Sequence, residues 1–148
     1  MVKALIVGAM AWPMLLSGAL AARVYEAAPA FSAVVYLAAS RVCHQRPERS
    51  FHYYGVKWPV CGRCSGLYLG GAVAAIVLAG AARRRRRAPH LLVWLAAAAV
   101  PTAVTLGLEW LGLAAVTTTA RFLSAVPLGA LVLAVIVRTA AGPPAAIE

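Results

Sequence analysis

The residues most able to do chemistry lie in two short runs. The first runs from Cys43 to Phe51 and the second from Pro59 to Gly66, and together they contain all three cysteines of the chain. A cysteine thiolate is both a ligand for soft metal ions and a nucleophile that exchanges disulfides. Because most of the remaining chain is Ala, Leu, Val and Gly, this gathering of polar side chains indicates a metal site or a redox site.

The cysteines and one histidine make a complete set of zinc ligands. Cys43 and His44 are adjacent, and after a gap of 16 residues Cys61 and Cys64 form a C-x-x-C pair. Zinc favours four such ligands in tetrahedral geometry. We therefore predict a metal site, with zinc first and iron second, whose ligands are Cys43, His44, Cys61 and Cys64. Adjacent side chains diverge in a regular helix or strand, so either a turn brings both residues onto one ion or His52 replaces His44.

Two alternatives use the same cysteines differently. In a quinone-linked thiol–disulfide oxidoreductase, Cys61 and Cys64 are the redox pair and Cys43 forms the mixed disulfide. The helix N-terminus and the neighbouring Arg63 favour the thiolate there, although such enzymes use two cysteine pairs. In the third hypothesis the chain is an accessory subunit of a larger membrane complex, and Cys43 is stapled by a disulfide to Cys61 or Cys64. Whether the chain is an enzyme stays open.

The composition identifies an integral membrane protein. Of the 148 residues, 63% are apolar and 12% are charged, whereas soluble proteins carry about 25% charged residues. The net charge of +10 does not indicate nucleic-acid binding, because five of the arginines form the single run Arg83–Arg87 and no aromatic residues interleave with them. The expected partners are membrane lipid and other membrane subunits.

Four apolar segments are long enough to cross the ~30 Å hydrocarbon layer. We predict an all-α, single-domain membrane bundle with transmembrane helices at about residues 4–22, 60–82, 90–113 and 121–138. Ala19-Leu20-Ala21 imitates a signal-peptide cleavage site, but we expect the first segment to be retained as a span. Residues 139–148 form a tail, in which a Gly-Pro-Pro sequence cannot continue a helix.

Residues 30–59 form an interfacial helix and loop. The apolar run 30–42 has 13 residues, too few to cross the membrane, so we predict a short interfacial or re-entrant helix that delivers Cys43 to the membrane surface. The aromatic residues of the following loop favour the headgroup level.

Small residues follow one face of the second span. Gly62, Gly66 and Gly70 recur every four residues, which is the pattern on which membrane helices approach closely. Cys61 and Cys64 are three residues apart and therefore lie near one face at the start of the same helix.

The dense run Arg83–Arg87 predicts the orientation. Seven basic residues fall on each side of the membrane, so their number does not decide the topology. The dense run directly abuts two spans, and we expect anionic headgroups to hold it on the cytoplasmic side. Both termini are then cytoplasmic, and the cysteine site lies on the outer face of the cytoplasmic (inner) membrane.

The two opening runs resemble the family of small predicted membrane proteins known as domain of unknown function 2085. The likeness is close over residues 43–70 and looser through Pro101, Arg121 and Gly129. It is carried by Cys43, His44, Gln45, Pro47, Glu48, Arg49, Ser50, Phe51, Pro59, Val60, Cys61, Arg63, Cys64, Gly66, Tyr68 and Gly70. The resemblance implies a multi-span helical protein without an established activity. It also implies an acid about one turn after the proline of the third span, where this chain has Thr105, with Glu109 one turn further on.

Four charged residues are candidates for binding a cofactor or substrate: Arg46, Arg49, Arg63 and Glu109. An acid near the end of a span is expensive unless it is paired, so we expect Glu109 to pair with Arg63 or Arg121, with a proton-carrying or substrate-binding role as the functional alternative. Arg46 and Arg49 are either solvated or bind a lipid phosphate or, in the redox alternative, a quinone headgroup. Glu48 and Arg49 are a candidate surface pair, which contributes about 0–1 kcal/mol.

Overall fold

The computed structural model describes residues 1–80 and 90–140, and most of these residues are helical. Its elements are α1 (Val2–Val24), α2 (Pro29–Ser40), β1 (His52–Tyr53), β2 (Val56–Lys57), α3 (Gly62–Gly80), α4 (Leu91–Trp110) and α5 (Thr118–Ala140). A single 3₁₀ turn, Pro47–Arg49, precedes the strands. Helices α1, α3, α4 and α5 are each long and apolar enough to cross a membrane, so the predicted all-α membrane bundle is confirmed.

The predicted anchor Arg83–Arg87 lies outside the described residues, as does the tail from residue 141 onward. The observed helices follow the predicted spans to within a few residues. Helix α4 ends earlier than predicted, at Trp110, because Gly112 adopts a φ of +67°. The amide of Leu113 then donates to the carbonyl of Leu108 at 2.9 Å, which is the hydrogen bond of a Schellman helix end.

Helix α2 has 12 residues, about 18 Å of helix, which agrees with the prediction that this segment is too short to cross. Pro29 occupies its first turn, where the missing amide hydrogen costs nothing. Val35 and Ala39 are buried in one apolar cluster with Leu16 and Ala19 of α1. Helix α2 therefore packs on α1, and Cys43, which follows α2, is buried in the same apolar cluster. The position of α2 at the membrane surface stays a prediction.

The glycine face of α3 packs directly on α5. A Cβ atom on Gly66 would overlap the carbonyl oxygen of Phe122, and one on Gly70 would overlap the carbonyl oxygen of Val126. These contacts confirm that the glycines form a close-approach seam. Because the contacting pairs advance in the same direction along both helices, α3 and α5 run parallel, and their N-termini lie at the same end of the bundle.

A hairpin that the sequence did not predict reverses the chain between α2 and α3. Its strands pair His52 with Lys57 and Tyr53 with Val56. The linking residues Tyr54 and Gly55 have φ angles of 49° and 75°, as in the type I′ turns that match the twist of paired strands. The reversal brings the residues before α3 back towards the end of α2.

Candidate metal centre

The three cysteines converge, and we call Cys43, Cys61 and Cys64 the cysteine cluster. Their Sγ atoms all lie within 4.8 Å of one another, and none of the three is in a disulfide. Cys43 follows α2 and is 5% exposed, Cys61 immediately precedes α3, and Cys64 is in its first turn. A tetrahedral ion with Zn–S bonds of about 2.3 Å holds its sulfurs roughly 3.8 Å apart, so small shifts would let these sulfurs reach one ion.

The Cys43 sulfur accepts two backbone hydrogen bonds. The amide of Cys61 donates to it at 3.2 Å and the amide of Gln45 donates at 3.5 Å. The neighbouring thiols of Cys61 and Cys64 lower the pKa of Cys43, and the two amides lower it further, while burial acts in the opposite direction. A lowered pKa raises the fraction of Cys43 present as thiolate, which is the form that binds metals and attacks disulfides.

A short chain of hydrogen bonds holds the Cys43 loop in place. Gln45 has a φ of 49°, and its side-chain amide donates to the Tyr36 carbonyl at 2.7 Å. The Lys57 ammonium donates to the Gln45 carbonyl at 2.7 Å, and the Tyr36 hydroxyl donates to the Lys57 carbonyl at 2.5 Å. These bonds hold Gln45 in the position from which its backbone amide donates to the Cys43 sulfur.

Aromatic side chains border the cysteine cluster. Trp12, Trp58 and Tyr68 are partly buried and pack against the apolar core that contains Cys43. Trp12 and Tyr68 meet edge to face with their ring centroids 6.1 Å apart. Such a border limits water and lowers the local dielectric, which strengthens the interaction of a thiolate with a cation.

The predicted fourth ligand, His44, is not part of the cluster. His44 is exposed, whereas the preceding Cys43 is buried, because consecutive side chains in this turn point in different directions. His52 and His90 are exposed as well. The structure thus brings together three of the four predicted ligands, and a ligand role for His44 stays a prediction.

A second cluster lies at the same end of the bundle, and we call Arg63, Glu109 and Arg121 the ion-pair cluster. Arg63 Nη1 donates to Glu109 Oε2 at 3.1 Å, and Arg121 Nε donates to Glu109 Oε1. The exposed fractions of the three side chains are 16%, 7% and 11%. One carboxylate from the end of α4 thus ties the first turns of α3 and α5 together, as expected for an acid in a span.

Thr105 joins the ion-pair cluster one turn before Glu109. Arg63 Nη2 donates to the Thr105 hydroxyl at 3.5 Å, and that hydroxyl lies 3.3 Å from the hydroxyl of Ser124. Thr105 and Glu109 are four residues apart on one helix face, so the acid located one turn further along still meets Arg63.

A model of the family described as "Predicted membrane protein (DUF2085)" matches residues 43–135, more than half of the chain. The chain belongs to this family. The predicted resemblance is thus confirmed, and the DUF2085 match contains both the cysteine cluster and the ion-pair cluster.

Two relatives share short segments with this DUF2085 protein. An uncharacterized protein of Methanocaldococcus jannaschii is 46% identical over 46 residues, which are 31% of this chain and 30% of the relative. An uncharacterized protein of Methanothermobacter thermautotrophicus is 55% identical over 29 residues, which are 20% of this chain and 26% of the relative. The matched segments thus span less than a third of either relative. No solved structure matches the chain.

Among the described residues, the loop arginines Arg46 and Arg49 of the DUF2085 protein form no salt bridge with either cluster. Arg46 Nη1 is 4.0 Å from Glu48 Oε1, and these side chains are 60% and 63% exposed. The pair proposed from the sequence, Glu48 with Arg49, is not formed, because adjacent side chains diverge around the 3₁₀ turn. A lipid or quinone role for Arg46 and Arg49 stays a prediction.

Proposed function

We propose that this protein is a small polytopic membrane protein that binds one metal ion through Cys43, Cys61 and Cys64, with zinc as the first candidate and iron as the second. The ion is at least structural. The observation that carries the proposal is the convergence of three sulfurs from two separate segments to within 4.8 Å of one another.

Three converging thiols favour a metal over a disulfide staple. A staple needs two sulfurs, and it would leave the third thiol beside the bond without a role. A metal ion uses all three, and it offsets the mutual repulsion of thiolates at this distance. The backbone amides that point at Cys43 also suit a sulfur that carries negative charge in the bound state.

The ion would stabilise the region that joins α2 to α3. Apart from the two-stranded hairpin and the 3₁₀ turn, residues 41–61 have no regular structure, and many of their side chains are exposed. A bound metal contributes its binding free energy to the folded state because the unfolded chain has no preformed site. One ion at the cysteine cluster would thus fix the loop to the start of α3.

The fourth coordination position would be taken by His44 after a local rearrangement, or by water or an exogenous ligand. Zinc sites with four protein ligands are structural, whereas those with three protein ligands and an exchangeable fourth are typical of catalysis. The identity of the fourth ligand therefore decides between a structural and a reactive site.

The proposal locates the cysteine cluster on the outer face of the cytoplasmic membrane. Arg83–Arg87 follow α3 in the sequence, and Lys3 and Arg138 belong to the ends of α1 and α5 opposite the cysteine cluster. If anionic headgroups hold Arg83–Arg87 on the cytoplasmic side, both termini are cytoplasmic and the cysteines face outward.

The metal content of the purified full-length protein tests the proposal. Elemental mass spectrometry in a mild detergent should find about one zinc or iron ion per chain. Three single variants, Cys43→Ser, Cys61→Ser and Cys64→Ser, should each lose most of the metal. Equal loss is the distinguishing result, because a disulfide staple or a redox pair would make the three cysteines unequal.

Thiol counting separates the alternatives. A metal-free protein with a reducible Cys61–Cys64 bond would contradict the metal proposal and support the oxidoreductase. A stable bond from Cys43 to either partner would contradict it in favour of a staple in a membrane subunit. Both bonds are identified by peptide mapping after alkylation with and without prior reduction.

A matched pair of histidine variants tests the fourth ligand. His44 and His52 are both exposed and both lie in the loop between α2 and α3. If His44 completes the site, His44→Ala should weaken zinc binding in a competition titration with a chelator, and His52→Ala should not. Equal affinities for both variants and the wild type would leave the fourth position to water or an exogenous ligand.

A further inference from the structure

An open cavity lies beside the Cys43 loop, and no residue of the family's ion-pair cluster lines it. Its volume is about 670 Å³, and it is bordered by the end of α1, one face of α2 and the tip of the hairpin. The residues that line it are Arg23, Ala33, Tyr36, Leu37, Ser40, Gln45, Gly55, Val56 and Lys57. We call it the cationic cavity.

The lining is unbalanced in charge. Arg23 and Lys57 contribute two positive charges, and none of the lining residues is an acid. Within residues 1–80 and 90–140, neither side chain forms a salt bridge. The Lys57 ammonium donates hydrogen bonds to both Gln45 oxygens, at 2.7 Å and 3.4 Å. The cavity is therefore suited to an anion.

Tyr36 contacts the Arg23 guanidinium and the backbone of Lys57. The Arg23 guanidinium lies over the Tyr36 ring, with Cζ 4.9 Å from the ring centroid, in a cation–π arrangement. The Tyr36 hydroxyl donates to the Lys57 carbonyl at 2.5 Å. One buried tyrosine thus contacts the Arg23 guanidinium and the Lys57 backbone, while the Gln45 oxygens hold the Lys57 ammonium.

The rest of the lining is suited to a lipid. Ala33 and Leu37 add an apolar strip on α2, and Leu37 is 61% exposed. Arg23 is in the last turn of α1, a helix long enough to cross the membrane, and the end of such a helix lies at the headgroup level. A basic end beside an apolar strip at that depth matches an anionic headgroup with its acyl chains.

We propose that the cationic cavity binds the phosphodiester headgroup of an anionic phospholipid, with Arg23 and Lys57 holding the phosphate and α2 contacting the acyl chain. Arginine presents several donors to phosphate oxygens, and lysine supplies a compact charge. This site uses neither of the loop arginines, Arg46 and Arg49, that the sequence indicated for a lipid phosphate, and it does not depend on metal binding.

Native mass spectrometry of the full-length protein in a neutral detergent tests the proposal. The probes are phosphatidylglycerol, phosphatidylcholine and inorganic phosphate, each titrated separately. Phosphatidylglycerol should bind more tightly than phosphatidylcholine. Arg23→Gln should weaken its binding about fivefold, which is the contribution of one basic residue near a membrane surface, and Arg23→Lys should restore most of it.

Arg41→Gln is the matched control. Arg41 is an exposed arginine that follows α2 but does not line the cavity, so its loss removes the same charge from the same end of the protein. Equal weakening by Arg23→Gln and Arg41→Gln would mean a diffuse charge effect and would overturn the site. Equal binding of phosphatidylglycerol and phosphatidylcholine would overturn it too. Tight binding of inorganic phosphate, lost in Arg23→Gln, would assign the cavity to a soluble phosphate and overturn the lipid.

Discussion

The two faces of α3 offer the clearest contrast in this molecule. Cys61, Cys64 and Tyr68 lie on the face towards α1 and the loop, while Gly62 and Arg63 lie on the face towards α4 and α5. Both faces are organised within the first turns of the same helix. One face presents sulfurs that meet the Cys43 sulfur of the loop, and the other presents the Arg63 guanidinium, which meets the Glu109 carboxylate of α4.

The two faces differ in the groups that meet on them. In the ion-pair cluster Glu109 accepts a hydrogen bond from Arg63 and another from Arg121, so opposite charges meet within the chain. In the cysteine cluster three groups of the same kind meet, with their Sγ atoms within 4.8 Å of one another. The ion-pair cluster joins α3, α4 and α5 through contacts within the chain, whereas under the proposed function a metal ion would join the three sulfurs.

The largest expected effect on stability comes from a change in the ion-pair cluster. Glu109→Gln leaves two largely buried guanidinium groups without a counter-charge, and breaking a buried ion pair in this way costs about 3–5 kcal/mol. Reversible unfolding in mixed detergent micelles should show a loss of this size. The metal content of the folded fraction should not change, because the two faces have separate supports.

Glu48→Gln is the control for Glu109→Gln. Glu48 is 63% exposed and 4.0 Å from Arg46, so its loss should change the free energy of unfolding by about 0–1 kcal/mol. If the two glutamate variants were equally stable, the ion-pair cluster would not hold the helices. If Glu109→Gln also released the metal, the two faces would not be independent.

Metal removal is the corresponding experiment on the cysteine cluster. At a free metal concentration about 100 times the dissociation constant, binding adds about 2.7 kcal/mol to stability, and a chelator should remove that amount. Alkylation followed by peptide mapping should show that Cys43, which is 5% exposed, becomes more reactive. An unchanged alkylation rate for Cys43 after chelation would contradict the role of the ion in fixing the loop.

The glycine seam gives a smaller effect. Gly66→Ala places a methyl group against the Phe122 carbonyl, and such overpacking costs about 1–3 kcal/mol. Gly107→Ala in α4 is the matched control, because a Cβ there meets nothing within 4 Å, and replacing a helical glycine is neutral or stabilising. Equal stability of the two variants would mean that α3 and α5 have room to separate.

Much of this architecture was accessible from the sequence because membrane helices have strong local signals. Apolar length alone predicted α1, α3, α4 and α5, and the spacing of the glycines predicted which face of α3 packs closely. The convergence of Cys43 with the C-x-x-C pair was also predicted, since the ligand types indicated a shared site. Each of these inferences depends on residue type and spacing, which the sequence states directly.

The parts that could not be predicted depend on the path of a loop. No local sequence signal indicates that His44 is exposed and Cys43 is buried. A one-residue change in the turn would exchange the directions of the two side chains. The support from Gln45 requires knowing that Tyr36 and Lys57 are neighbours, although they are 21 residues apart. Gly55 was the one signal for the hairpin, since glycine favours the positive φ that a type I′ turn needs.

The smallest predicted effect tests whether the hydrogen bonds of the Cys43 loop influence the cysteine cluster. Tyr36→Phe removes the hydroxyl that donates to the Lys57 carbonyl at 2.5 Å, and one such hydrogen bond contributes about 0.5–1.5 kcal/mol. Tyr54→Phe is the control, because Tyr54 is 77% exposed at the tip of the same hairpin. Lys57 donates to the Gln45 carbonyl, and the Gln45 backbone amide donates to the Cys43 sulfur. Tyr36→Phe should therefore also speed loss of the metal to a chelator. A destabilised Tyr36→Phe protein with unchanged metal release would show that the hydrogen bonds support the loop without reaching the sulfur.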